Sequence, residues 1–184
     1  MPIINDPLFT HNLRSEKQWD IITEHVDFSG KKVIDYGCGY ADILRRALIL
    51  GGAEYCAGVE EDWNVVKATI QKFPRGAFDP SFRIFNENAE EFVTTRDGMS
   101  FDVGVCFAVL PYLGNADDFL HNMSSACLTA LIECQYVGDG PGNVFGDKDM
   151  EEWLGCHWQS VKKIGFTTVD YRNAERSIWL CNND

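Results

Sequence analysis

The stretch Lys32–Gly52, KVIDYGCGYADILRRALILGG, decides how the chain is read. A short β-branched run reaches Asp35 and Tyr36, glycines follow at 37 and 39, and an amphipathic segment starts at once. That segment, 40–50, carries Ile43, Leu44, Ala47 and Leu48 on one side and stops at Gly51 and Gly52, as helices do. Strand, tight turn and helix follow with no spare residue. Gly37 and Gly39 allow the turn and let backbone approach a ligand closely. The helix start adds free amides and a positive dipole end. Doubly wound sheets bind ligands at this kind of place, outside the carboxyl ends of their strands.

Working outward, the same alternation continues. Strands are predicted at EYCAGVE (54–60), FRIFNE (82–87), FDVGVCFAVL (101–110) and ALIECQY (130–136). Helices are predicted at 15–27 with Ser15 as N-cap, at 62–73, at 89–95, and from an Asn115 cap through Phe119, Met123, Ala126, Cys127 and Ala130. A further helix, 147–164, has acids at its start and Lys162 and Lys163 at its end, in the sense the helix dipole favours. The tail reads as two strands, TTVDYR and RSIWLC. The expectation is an α/β protein with a doubly wound, mostly parallel seven-stranded sheet, helices on both faces and a C-terminal antiparallel hairpin. Residues 1–184 are expected to form one domain, with 1–15 as an N-terminal lid segment.

Composition narrows the function classes. Hydrophobic residues make up 45% and charged residues 24% of 184, which suits a globular protein. No apolar run approaches the ~18 residues of a membrane span. The formal net charge of −12 disfavours a nucleic-acid partner, whose phosphates call for a basic face. Seven scattered cysteines without a Cys-x-x-Cys pair or Cys/His cluster point to reduced thiols in the cytoplasm, with no disulfide frame and no metal site.

Two ligand classes compete for the glycine turn. A dinucleotide fingerprint requires a third glycine where this chain has Asp42, and a carboxylate there repels a pyrophosphate but caps a helix well. Asp35, at the end of the strand, suits a cationic group. The NAD reading fares poorly on both counts. VIDYGCGYA resembles the first motif of the class I S-adenosylmethionine-dependent methyltransferases: an acid, then Gly-x-Gly-x-Gly, with Ala41 in the third glycine's place. Glu60 lies 21 residues after Gly39, where that family keeps the acid that holds both ribose hydroxyls. FNENAEEF resembles the loop beside the adenine, and FDVGVCFAVLPYL the fourth strand bordering the methionine moiety. The resemblance spans about residues 17–182.

The resemblance implies S-adenosylmethionine as cofactor, with S-adenosylhomocysteine as product. Asp35 would serve the methionine end, Gly37, Cys38 and Gly39 would line the cofactor, and Glu60 would take the ribose. Asn88 and Ala89 would lie at the adenine and Phe107 beside the methionine. Glu61 stands where an apolar residue often packs on the adenine. Trp63 is in phase with Val66 and Ile70 and is expected in the core. Asn/Asp-Pro-Pro-Tyr/Phe is absent at the fourth strand's end, where the chain has FAVLPY, so DNA-base methylation is disfavoured and a small-molecule acceptor expected. With only residues 1–15 and the loop at 136–147 available as a cover, the pocket is expected to be open or closed by a second subunit of a homo-oligomer.

For the acceptor side, Glu133 is the candidate acid or base, and Tyr112 and Tyr136 are candidate lining residues. Gln135 alternates with Glu133, and the VGDGPG loop is a candidate lid. His157 is expected to be packed, His121 and His25 to lie away from chemistry, and His11 to belong to the N-terminal segment. The alternative function is a methyltransferase fold that binds the cofactor but serves as an interaction or regulatory subunit.

Overall fold

A computed structural model describes residues 13–72, 80–95, 99–134, 147–169 and 174–183. Its elements alternate as expected: α1 (Leu13–Thr23), β1 (Lys32–Tyr36), α2 (Asp42–Ile49), β2 (Tyr55–Val59), α3 (Trp63–Lys72), β3 (Phe82–Phe85), α4 (Ala89–Thr95), β4 (Phe101–Phe107), α5 (Ala116–Ala126), β5 (Cys127–Glu133), α6 (Asp147–Leu154), β6 (Ser160–Val169) and β7 (Ala174–Asn182). The seven strands form one sheet in the order β3-β2-β1-β4-β5-β7-β6. All pairings from β3 to β5 are parallel, while β7 runs antiparallel to both β5 and β6. Strand order reverses between β1 and β4, so a crevice opens there at their carboxyl ends.

Both faces of the sheet are covered, which explains the runs Val33–Ile34 in β1 and Val103–Phe107 in β4, without a polar side chain on either face. On one face Trp19, Ile22, Phe28, Ile43 and Leu44 pack over Val33, Val105, Leu131 and Ile178. On the other, Phe92, Phe119, Met123, Leu154 and Trp158 pack over Ile34, Tyr36, Cys106, Ile132 and Trp179. Side chains alternate across a strand, so Asp35, Phe107 and Glu133 all project to the first face, the one carrying α1 and α2. Gly58 is needed there. A Cβ on it would come within 2.6 Å of Cys38 Sγ and 3.0 Å of Leu44 Cδ1, so its absence lets the loop after β1 and helix α2 settle onto β2.

Several boundaries differ from the sequence expectation. The helix expected over 147–164 ends at Leu154, and Lys162 and Lys163 lie in β6. Gly155 weakens the helix there, and the β-branched residues beyond it gain a full antiparallel ladder on β7. Helix α5 stops at Ala126 because Cys127 is already extended, pairing with Phe101 of β4. Asn115 does cap α5, accepting the Asp118 amide at 3.3 Å. Ser15 lies inside α1 rather than at its cap. Trp63 does not enter the core: it is 57% exposed although Val66, on the same face of α3, is buried. Among the described residues no helix is long and apolar enough to cross a membrane. Likewise no group of three or more His, Cys, Asp or Glu there could hold a metal ion. All seven cysteines are free.

Candidate active site

At the β1/β4 crevice the chain makes two left-handed turns that interlock. Gly37 has φ +70°, and a Cβ on it would lie 2.4 Å from Cγ2 of Val109. Val109 is set in place by Ala108, whose φ of 63° turns the chain sharply after β4. Gly37 is thus required twice, by its backbone angle and by this contact. Gly39 is required by φ +52° alone, since nothing lies within 4 Å of its Cβ position. Ala41, in the place of a third glycine, adopts the same left-handed region at φ 55°, at a cost of about 1 kcal/mol.

The amides of this loop do not behave as the sequence suggests. Gly37 and Cys38 both donate to the carbonyl of Val59, at 2.8 and 3.0 Å. The Gly39 amide donates to Glu60 Oε2 at 3.0 Å, and Glu60 Oε1 accepts the Asp62 amide at 2.9 Å. All three loop amides are committed to β2 and its exit. What Gly37–Gly39 present outward is the missing side chain rather than the N–H. Asp42 is no cap either: it begins α2 and pairs with the buried Arg45 one turn on.

The loop forms one wall of a cavity of about 220 Å³. Asp35, Gly37, Cys38, Gly39 and Phe107, five of the expected residues, line it together with Tyr40, Asp42 and Ile43. The remaining wall is α1, through Arg14, Ser15 and Gln18. Pockets that take a whole small-molecule ligand usually measure roughly 300–1,000 Å³, so this cavity suits one end of an extended ligand. Asp35 is its most distinctive group: 5% exposed, with no hydrogen-bond partner among the described residues. Burial, and secondarily the nearby Glu60 charge, raise its pKa well above the ordinary carboxylate value. Burial also raises the Cys38 thiol, helped by Asp35 and Glu60, so Cys38 is a neutral lining group and no nucleophile.

The other expected cofactor residues stand beyond the cavity, along the rim from β2 to α4. Asn88 caps α4, its Oδ1 accepting the Glu90 amide at 2.9 Å, and its Nδ2 donates to Glu61 Oε2 at 3.1 Å. Ala89 follows, buried, as the first residue of α4. Asn86, which the sequence did not single out, ties this rim together by donating to the carbonyls of Glu60 and Glu61, at 3.0 and 2.8 Å.

The acceptor-side expectations fare differently. Tyr112 ends the 3-10 turn Leu110–Tyr112, is 67% exposed and does not line the cavity. Glu133 is wholly buried and surrounded: its carboxylate pairs with Arg14 and accepts Gln18 Nε2 at 2.9 Å and Thr167 Oγ1 at 2.5 Å. Arg176 stands 3.9 Å away. An acid or base acting on substrate must reach it, so the expected proton-transfer role gives way to that of an anchor. Arg14 and Gln18, unmarked in the sequence, are brought to the site by this carboxylate more than a hundred residues away. His157 is packed as expected, with Nε2 3.0 Å from Asp117 Oδ1, and His121 and His25 are exposed. His11, Gln135, Tyr136 and the VGDGPG loop lie outside the described residues.

No protein-family model matches the chain. It is 32% identical over 149 residues to the ribosomal protein L11 methyltransferase of Psychrobacter arcticus, across 73% of this chain and 48% of that one. A 50-residue match at 38% identity links it to the tRNA U34 carboxymethyltransferase of Pseudomonas aeruginosa, across 27% of this chain and 15% of the relative. The chain therefore spans less than half the length of either relative. Among solved structures, magnesium protoporphyrin IX methyltransferase from Synechocystis PCC 6803, with S-adenosylmethionine bound, superposes with a TM-score of 0.71 at 17% identity, over 94% of this chain and 80% of that one. The sheet order, the glycine turn and these likenesses agree: the chain has the class I, Rossmann-like fold of the S-adenosylmethionine-dependent methyltransferases.

Proposed function

We propose that the protein is an S-adenosylmethionine-dependent methyltransferase with a small-molecule acceptor. One observation carries the reading: Asp35, buried, without a hydrogen-bond partner among the described residues and next to a second carboxylate, lines a cavity walled by the glycine turn. A buried acid in that position stabilises a cation that comes to it, and the open space over Gly39 admits a ligand against the backbone. A sulfonium ligand with an α-amino group fits those residues. Its amino-acid end belongs in the cavity, with Asp35 for the ammonium and Gly37, Cys38, Gly39 and Phe107 as walls. Glu60 is placed to accept ribose hydroxyls, because one carboxylate provides the acceptors two donors need. Glu61, Asn88 and Ala89 are the adenine rim.

When bound, this cofactor supplies an electrophilic methyl group that an acceptor takes by in-line attack. The chain's own residues align the reactants and exclude water. Phe107 and the α1 wall keep water from the methionine end, and Ala108 with Val109 fixes the loop against Gly37. Neither Glu133 nor Tyr112 is set to take a proton within the cavity. The relatives' names carry a ribosomal protein and a tRNA. The net charge of −12 weighs against the second kind of acceptor here, and seven unpaired cysteines suit a cytoplasmic enzyme.

The test is calorimetric binding of S-adenosylmethionine and S-adenosylhomocysteine, with NAD as control, followed by methyl transfer to panels of metabolites, basic peptides and RNA. Both adenosyl ligands are expected to bind and NAD to fail, with transfer confined to the metabolite panel. A folded protein that binds neither adenosyl ligand defeats the reading, and transfer to peptide or RNA defeats its acceptor half.

A further inference from the structure

The amino ends of the parallel strands carry a second cavity, larger than the one at the crevice. It measures about 590 Å³, within the range of small-molecule sites. Lys32 and Tyr55 are the first residues of β1 and β2, Ser81 precedes β3, Phe101 starts β4, and all four line it. From Lys32 to Tyr36 a strand rises roughly 13 Å, so an occupant here lies a sheet's height away from the Gly37–Gly39 turn. Backbone at this end is already committed. The Glu54 amide donates to the Lys31 carbonyl at 2.9 Å and the Cys56 amide to the Ser81 carbonyl at 2.8 Å. The Lys32 amide donates to Asp102 Oδ2 at 2.8 Å. The rim is thus formed before any ligand arrives, and recognition falls to side chains.

The inner wall is apolar. Tyr55 and Phe101 lie nearly parallel, 19° apart in plane with ring centroids 6.5 Å apart, and Met99 extends the wall. Phe101 is buried and Tyr55 and Met99 pack against the same core, so the rings are held by the sheet's own packing. The rim carries two opposite charges. Lys32 and Glu54 both line the cavity and are both exposed. Among the described residues neither the ammonium nor the carboxylate has an ion-pair or hydrogen-bond partner, and the two do not pair with each other although Lys32 stands opposite Tyr55, the neighbour of Glu54. An aromatic wall beneath one cation and one anion is complementary to a planar ring that carries a carboxylate and an ammonium of its own. A purely anionic occupant meets Glu54 and the chain's net charge of −12, and a purely cationic one meets Lys32. A zwitterion meets neither penalty.

We propose that this cavity is a second ligand site, for a free aromatic α-amino acid whose ring lies on Tyr55 and Phe101, whose carboxylate meets Lys32 and whose ammonium meets Glu54. The site is independent of the S-adenosylmethionine reading and takes no part in methyl transfer, because the strands' full length separates it from the crevice.

Amide shifts of the isotope-labelled protein, followed by magnetic resonance, test this with four ligands titrated to about 10 mM. They are L-phenylalanine, phenethylamine (no carboxylate), hydrocinnamate (no ammonium) and L-leucine (no ring). L-phenylalanine is expected to shift the amides around Lys32, Glu54, Ser81 and Phe101. It should bind about three- to tenfold more tightly than each analogue, the scale of one charge-assisted contact at a wet rim. Lys32→Gln should weaken L-phenylalanine by that factor and leave phenethylamine unchanged within about twofold, and Glu54→Gln should do the same with hydrocinnamate as its indifferent ligand. Both side chains are exposed, and the comparison of ligands in wild type decides the matter even if a variant misfolds. Absence of shifts at those amides overturns the proposal. Equal affinity for all four ligands does so too, as does equal weakening of L-phenylalanine and the matched analogue in a variant. S-adenosylhomocysteine should leave these amides unmoved. Its displacing L-phenylalanine would merge the two sites and overturn the proposal, whereas its failure to bind anywhere counts against the cofactor reading alone.

Discussion

Asp35 and Glu133 invite comparison. Both are buried carboxylates at the carboxyl ends of parallel strands, and both project to the face that carries α1 and α2. Glu133 is met by Arg14, Gln18 and Thr167, with Arg176 beside them. Among the described residues Asp35 has no hydrogen-bond partner, and the nearby Glu60 charge repels it. The chain stabilises one buried acid with its own residues, and the other is the acid that we propose a ligand meets. The contrast separates what holds the wall in place from what the wall is for, and four measurements can break it or sharpen it.

The largest effect falls on the saturated side. Glu133→Ala removes the anion from between two guanidiniums and is expected to cost about 3–5 kcal/mol of folding free energy, read from urea unfolding. A loss under about 1 kcal/mol would place Glu133 with Asp35 as a dispensable acid. Gly37→Ala comes next. A left-handed alanine costs roughly 1–2 kcal/mol, and the overlap with Val109 adds about 1–3 kcal/mol. Its unfolding midpoint should fall, and S-adenosylhomocysteine binding should fall further than stability alone explains.

Asp35→Asn sharpens the contrast from the other side. Loss of a charged hydrogen bond predicts a Kd about ten- to hundredfold higher for S-adenosylhomocysteine. The ligand-free protein should respond in the opposite sense. Burial raises the acid's pKa above its ordinary 3.8, so the folded chain retains a proton that the unfolded chain has released. The resulting stabilisation is complete below about pH 3.8 and is lost as pH rises through the raised folded-state value. Unfolding free energies of wild type and Asp35→Asn, compared from about pH 4 upward, should therefore diverge in favour of the variant and then level off. A difference independent of pH would mean that Asp35 is not the unpartnered acid described here.

How much of this the sequence disclosed follows from distance along the chain. Asp35, Gly37, Gly39 and Glu60 were legible because a strand, a turn and a helix within thirty residues dictate their places. Arg14 and Gln18 were silent because their meaning comes from Glu133, 119 and 115 residues away. Glu133 itself was noticed as a polar residue at a strand's end, but position does not say whether an acid is free or saturated. Trp63 misled for a related reason. Helical periodicity shows which face a residue occupies, not whether the sheet still lies beneath it at the helix's first turn. Residues 155–164 were read as helix because their apolar spacing allows it, and pairing with β7 decided otherwise.

The smallest effects belong to the two left-handed alanines, one on each side of the crevice. Ala41→Gly and Ala108→Gly each relieve about 1 kcal/mol of backbone strain and add about 0.5–1 kcal/mol of chain entropy to the unfolded state. Ala41→Gly also gives up a buried methyl group. Midpoints within about 1 kcal/mol of wild type are expected, with Ala108→Gly the more stable of the pair. A large loss in either would show that the alanine methyl, and not the turn, holds that loop.

The distribution of sulfur has a practical corollary. Six of the seven thiols are enclosed and only Cys156, just past α6, is open to solvent. Burial raises the pKa of Cys38, Cys56, Cys106, Cys127 and Cys181 as well, which suppresses the reactive thiolate. A chromogenic disulfide reagent should therefore count one group per chain in the native protein and seven in denaturant. The molecule carries its own stoichiometric gauge of opening, and its rate of passage from one to seven times the exposure of the sheet without a single substitution.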